Sequence, residues 1–233
     1  MRTEVLPDPE AVAKRAAEVL VETARAAVAA RGRFTLAVSG GHTPSLMLHE
    51  LTEKDRPWKV IHLYQVDERL APAGDPQRNL TQLQKQLLEH VPLPEGNLHT
   101  MPVEEAKLDD AAARYARELE KFAGSPAVLD LVHLGLGVDG HTASLVPGDP
   151  VLDLADCDVA TTGPYDGLRR MTLTYPVLNR ARSILWVVTG KEKAEVVPRL
   201  SARDRSMPAG CVRSANAVLL SDEAAASKLD LNE

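Results

Sequence analysis

The chain has little cysteine: Cys157 and Cys211 are its only two in 233 residues. Neither has a metal-binding or redox spacing, so a reducing compartment, the cytoplasm, is expected. No apolar run approaches the roughly 20 residues that cross a bilayer, and no signal peptide precedes the first predicted helix, which excludes a membrane partner. There is no G-K-[ST] to close a nucleoside-triphosphate loop and no Gly-x-Ser-x-Gly elbow to present a nucleophilic serine. Positive charge is also scarce overall. The net charge is −6, which argues against a nucleic-acid partner.

What the chain does have is 44% hydrophobic and 26% charged residues without repeats or low-complexity linkers, as one domain spanning residues 1–233 would. Its charge is uneven. From Arg169 to Arg213 ten basic residues face three acidic ones, a local +7, which suits a small anionic ligand better than a polyanion. For most of these side chains a solvated surface is explanation enough.

Helical and strand patterns alternate along the chain. Asp8 and Pro9 form a cap and first-turn pair for a helix that runs to Arg31 and stops at Gly32. Phe34 to Val38 reads as a buried strand, followed by a helix from Ser45 to Leu51. Val60 to Val66 is the next strand, and helices are expected at Asn79–Glu89 and Asp109–Phe122. Strands follow at 128–134, 157–161, 171–175, 183–189 and 217–220, with helices at 191–200 and 221–228. Such alternation predicts an α/β fold: a mostly parallel sheet with helices on both faces, that is, a three-layer α/β/α sandwich.

Three strand ends carry chemistry. After Val38 come Ser39, Gly40, Gly41, His42, Thr43 and Pro44. Two glycines let backbone N–H groups approach an anion, Ser39 and Thr43 add hydroxyls, and Pro44 at a first helical position aims a helix N-terminus at the same spot. After Val66 come Asp67, Glu68 and Arg69, at the sheet edge where α/β sites form. After Leu134 come Gly135, Gly137, Asp139, Gly140 and His141. His141 to Leu145 reads as the first turn of a short helix, whose dipole would favour a neutral imidazole able to take a proton. Asp139, two residues earlier, would orient the ring or the substrate.

Blander readings stand beside this one. Gly135, Gly137 and Gly140 satisfy G-x-G-x-x-G, but past the midpoint of the chain, and Asp158 begins a predicted strand instead of ending one, so a dinucleotide fold is disfavoured. Asp139 and His141 also suit an ordinary polar turn. A metal site would need more ligands than one Asp and one His, and none is expected.

Taken in order, these motifs resemble the family of 6-phosphogluconolactonases and glucosamine-6-phosphate isomerases or deaminases. The resemblance rests on Ser-Gly-Gly-His-Thr-Pro at 39–44, Val-Asp-Glu-Arg at 66–69 and Gly-Leu-Gly-Val-Asp-Gly-His-Thr-Ala-Ser-Leu at 135–145. It extends through Arg-Met-Thr-Leu-Thr at 170–174 and Asn179 to Thr-Gly-Lys-Glu-Lys-Ala at 189–194. It implies a modified Rossmann-like fold, no cofactor, and hydrolysis of the lactone made by oxidation of glucose 6-phosphate. Deaminases of the group carry Asp-Glu-Tyr at the second motif and Asn-Glu-Pro after the glycine turn; Asp-Glu-Arg and Ala-Ser-Leu-Val-Pro stand here, on the lactonase side. Val146 in place of Phe, and Gly210-Cys211 in place of Ser-Arg, depart from the family pattern.

On this resemblance Ser39, Gly40, Gly41, Thr43, Arg170 and Lys193 hold the 6-phosphate of a phosphorylated sugar lactone, and His141 activates water. Asp139 orients His141 or the sugar, Arg69 stabilises the oxyanion, and Asp67 contacts hydroxyls or supports Arg69. The protein is expected to be a monomer or a weak homodimer. A deaminase or isomerase on the same fold is the first alternative. A non-enzymatic sugar-phosphate sensor is the second; it would need a DNA-binding segment ahead of a first strand that is expected to begin near Phe34.

Overall fold

A computed structural model describes residues 1–52 and 57–230, the side chains of His42 and Thr43 excepted. Its first element is one that residue patterns missed: β1 (Arg2–Leu6), a short polar strand. Its Arg-Thr-Glu start carries no alternation of apolar residues, and its partner in the ladder, β10 (Ala217–Asp222), lies at the other end of the chain.

Between them run α1 (Pro9–Arg31), β2 (Phe34–Val38), α2 (His42–Thr52), β3 (Ile61–Gln65), β4 (Asp67–Arg69), α3 (Asn79–Gln86), β5 (Leu98–His99) and α4 (Leu108–Ala123). Then follow β6 (Leu131–Leu134), β7 (Val159–Thr161), β8 (Arg170–Leu173), α5 (Tyr175–Arg180), β9 (Ile184–Val188) and α6 (Val196–Ser201). Helix α1 has the ends its sequence predicts. The Asp8 carboxylate accepts from the Ala11 amide at 2.8 Å, and Gly32 ends the helix at φ 72°.

Seven strands form a parallel sheet in the order β1-β10-β9-β6-β2-β3-β5. Its two faces bury different residues of the same strands, because successive side chains point to opposite sides. Phe34, Leu36 and Val38 join Leu185 and Val187 under α1 and α2. Ala37, Trp186 and Val188 join Tyr115 and Leu119 of α4 and Val196 of α6 on the other face. Both faces are therefore covered, which makes three layers. A second, three-stranded antiparallel sheet, β4-β8-β7, lies on the α4 side, where Met171, Leu173 and Val159 join the same core.

This small sheet corrects the reading of residues 67–69. They do not simply end the Val60–Val66 strand; the chain leaves the main sheet at Val66, and Asp67, Glu68 and Arg69 pair with Thr172, Met171 and Arg170. Three further expectations fail. No helix forms over 221–228: Ser221 and Asp222 continue β10, and the buried Asp222 carboxylate then ties down the Gly190 and Ala225 amides. Residues 191–200 form a 3₁₀ turn at Lys191–Lys193 and then the short α6. Helix α2 begins at His42 instead of Ser45, with Pro44 still inside the first turn, where no intrahelical amide is required. Among the described residues no helix is long and apolar enough to cross a membrane.

Candidate active site

The chain steps from β2 to β3 on one side of the sheet and from β6 to β9 on the other, so β2 and β6, which are neighbours, flank the topological switch point. Crevices at such points, outside the carboxyl ends of the strands, are where α/β sheets take ligands. Parallel register brings the ends of β2, β3, β6 and β9 to one edge. There a cleft of about 320 Å³ is lined by Ser39, Gly40 and Gly41 after β2, Asp67 and Arg69 of β4, His141 after β6, Arg170 of β8 and Lys193 after β9. Asp139 stands directly behind His141. The Thr43 side chain lies outside the described residues.

The turn after β6 is not a helix start. Gly140 takes φ 83° and Ala143 φ 52°, and the Thr142 hydroxyl bonds back to the Gly135 carbonyl at 2.8 Å. A short bridge between Thr142 and Leu145 replaces the expected helical turn. No helix dipole acts on His141, and its orientation has a different source. Asp139 Oδ1 lies 2.6 Å from His141 Nδ1 and accepts the His141 backbone amide at 3.1 Å. Burial pushes the Asp139 carboxyl up, but the bonds from the His141 amide and ring and from Tyr165 outweigh it and hold the group below its ordinary value. An ionised carboxylate only accepts, so Nδ1 carries the proton of this bond, and in the neutral ring the lone pair is on Nε2. Gly137 makes the room: a Cβ there would come within 2.1 Å of His141 Nδ1 and 2.6 Å of Asp139 Oδ1.

In the same cleft Arg69 and Arg170 are directly paired across β4 and β8. Like charges in that position are destabilising on their own. Arg69 is held by neutral acceptors: it donates to Asn79 Oδ1 at 2.6 Å and to the Gln77 carbonyl at 3.0 Å. Arg170 is 5% exposed, and its Nε has no hydrogen-bond partner among the described residues. A buried, unpaired guanidinium N–H beside a second arginine calls for an anion.

Asp67 takes up neither arginine directly. It is buried, accepts the Ser144 hydroxyl at 2.7 Å and sits 3.3 Å from Asn79 Nδ2. Burial raises its carboxyl above the ordinary value, against the Ser144 bond and the nearby arginines. Asp67 therefore ties the turn after β6 to the small sheet, and support for Arg69 passes through Asn79. The Ser39 hydroxyl also faces inward, donating to the His133 carbonyl at 3.1 Å while its amide points at His133 Nδ1 at 3.3 Å. Gly40 and Gly41 are thus left as the backbone donors of that loop. Gly40 has no space for a side chain, since a Cβ would meet Asn79 Oδ1 at 2.1 Å.

A sequence profile of the family described as glucosamine-6-phosphate isomerases/6-phosphogluconolactonase matches residues 7–220. The chain belongs to this family. The 6-phosphogluconolactonase of Synechocystis sp. is 37% identical over 205 residues, which are 86% of this chain and 85% of that protein. The crystal structure of 6-phosphogluconolactonase from Thermotoga maritima is 26% identical with a TM-score of 0.84, covering 95% of this chain and 98% of that one. A monomeric glucosamine-6-phosphate deaminase shares the fold at 18% identity, with a TM-score of 0.84 over 98% of this chain and 100% of that one.

Within this isomerase/lactonase fold, four contributors to the site escaped sequence reasoning: Asn79, His133, Ser144 and Tyr165. Asn79 was legible only as a helix start. His133 lies inside the apolar strand run, Ser144 belongs to the glycine motif without a role that its type announces, and Tyr165 belongs to a loop with no motif at all. Among the described residues no group of three or more His, Cys, Asp or Glu could hold a metal ion.

Proposed function

We propose that this family member hydrolyses 6-phospho-D-glucono-1,5-lactone to 6-phospho-D-gluconate, in the oxidative pentose phosphate pathway. The observation that carries the reading is a single cleft lined by an aspartate-held imidazole and by two paired arginines. The relatives named as 6-phosphogluconolactonases support it, and two free cysteines accord with a cytoplasmic setting.

The chemistry follows from these groups. Amides of Gly40 and Gly41, with Arg170 and Lys193, hold the 6-phosphate. His141 Nε2 takes a proton from water as the water oxygen bonds to the lactone C1. Arg69 faces the oxygen that becomes negative at C1. When the C1–O5 bond breaks, the ring oxygen leaves with the proton that His141 carried, giving the open-chain acid. No covalent intermediate is needed, since a lactone is a reactive ester and positioning with general-base help suffices.

Ring-opening deamination is the competing reaction on this fold. In deaminases the motif after the glycine turn is Asn-Glu-Pro, whereas Leu145-Val146-Pro147 stands here, with a buried apolar Val146 in the place of the glutamate. The test is to offer freshly made lactone and glucosamine 6-phosphate side by side. Hydrolysis of the first well above its spontaneous rate, with no ammonia from the second, is expected; ammonia release with no acceleration of the first would reverse the assignment.

A further inference from the structure

Tyr165 stands outside the cleft's lining but touches both the Asp139–His141 pair and Arg170. Its hydroxyl donates to Asp139 Oδ2 at 3.2 Å, on the oxygen that His141 does not use. Its ring meets the His141 ring edge-on, with centroids 5.4 Å apart. The Arg170 guanidinium lies over the same ring, 4.8 Å from its centroid. Arg170 also reaches the Tyr165 carbonyl at 3.5 Å and the Asp166 carboxylate at 3.8 Å.

The backbone fixes this arrangement. Asp166 and Gly167 have φ of 51° and 78°, the two positive values of a tight hairpin turn that Asp-Gly favours. Tyr165 and Leu168 exchange both backbone hydrogen bonds, at 3.0 and 3.2 Å. The tyrosine is therefore rigidly placed at the base of the hairpin that feeds β8. Burial, and then the adjacent Asp139, raise its hydroxyl above the ordinary value, so it remains a donor throughout the neutral range.

We infer that Tyr165 is a positioning residue that couples the two halves of the site, its hydroxyl holding the Asp139–His141 pair and its ring holding Arg170 for the substrate phosphate. The inference rests on the lactonase reading for its kinetic consequences. The two functions separate chemically. A phenylalanine keeps the ring and loses the donor; a leucine loses both.

The Tyr165→Phe variant is expected to lower kcat for the lactone about three- to tenfold with KM unchanged, the effect of one neutral hydrogen bond. Tyr165→Leu should lose the same in kcat and also raise KM and the Kd for 6-phosphogluconate about three- to tenfold, the effect of a partly desolvated cation–π contact. Because the hydroxyl acts through Asp139, adding Tyr165→Phe to Asp139→Asn should lower kcat no further than Asp139→Asn alone. Multiplying effects in that double variant, or equal KM and kcat losses in both single variants, would overturn the inference. Should the wild type not hydrolyse lactone, the lactonase reading falls by itself. Two readouts then remain, the NMR resonance of the His141 Nδ1 proton and the affinity for inorganic phosphate. The first should move in Tyr165→Phe and the second weaken only in Tyr165→Leu; no change in either would sink the inference.

Discussion

At the residue scale the site depends on close approaches that only particular side chains permit. Gly137 is the clearest case, since an added methyl group would occupy the space of the His141–Asp139 bond. Gly137→Ala should force the pair apart and lower kcat about ten- to a hundredfold, as misplacement of a catalytic group by about an ångström does. Product binding, measured by calorimetry, should change far less; a kcat within twofold of wild type would show that the pair is not needed. His133 gives a prediction of another kind. It is fully buried, and desolvation lowers its pKa to about 3. Its unfolded form binds a proton below about 6.5 while the folded form does not, so its contribution to stability is complete above that pH and is lost progressively as pH falls toward 3. Urea unfolding at pH 7 and pH 5 should show a loss of roughly 2 kcal/mol from this histidine. A His133→Asn variant, though less stable at both pH values, should show a correspondingly shallower fall, and an identical slope would contradict the assignment of His133 as buried and neutral.

At the scale of elements, the small antiparallel sheet is what turns a Rossmann-like edge into a site. It seats Arg69 opposite Arg170 and puts Asp67 within reach of Ser144. Glu68, between them, points the other way and is fully buried. It accepts the amides of Arg69, Asn79 and Leu80 at 2.7–2.8 Å and pairs with Arg78, so one carboxylate fixes both β4 and the N-terminus of α3. Removing it leaves three amides without their acceptor and the buried Arg78 with only Glu104 and the Ala71 carbonyl. Glu68→Ala should destabilise the protein by about 3–5 kcal/mol and lower Tm by roughly 10 °C for a chain of this size; a Tm change under about 2 °C would show that α3 does not depend on it.

Elements differed in how far their sequence betrayed them. Helix α1 and strand β2 were readable to the residue, because an Asp-Pro start, a Gly stop and an unbroken apolar run are local signals. Strands β1 and β4 were not readable, being polar and short and existing only through partners far along the chain. The same distinction governs the site. His141, Asp139 and the glycines lie in turns whose composition is itself the signal. Asn79 and Tyr165 act only through what the fold places next to them. The expected helix at His141 failed for a local reason of its own, the left-handed backbone at Gly140 and Ala143; only the first of these has a residue type that announces it.

For the whole molecule the claim is convergence: loops after three parallel strands and two strands of a second sheet meet over the switch point between β2 and β6. If that cleft anchors a sugar phosphate with one set of residues and activates water with another, the two functions must separate when one set is changed. The direct measurement is turnover of fresh 6-phosphoglucono-1,5-lactone by His141→Ala beside its Kd for 6-phosphogluconate. The account predicts a kcat lower by about two to four powers of ten with the Kd within about twofold of wild type. Near-wild-type turnover, or a Kd that collapses together with kcat, would contradict it.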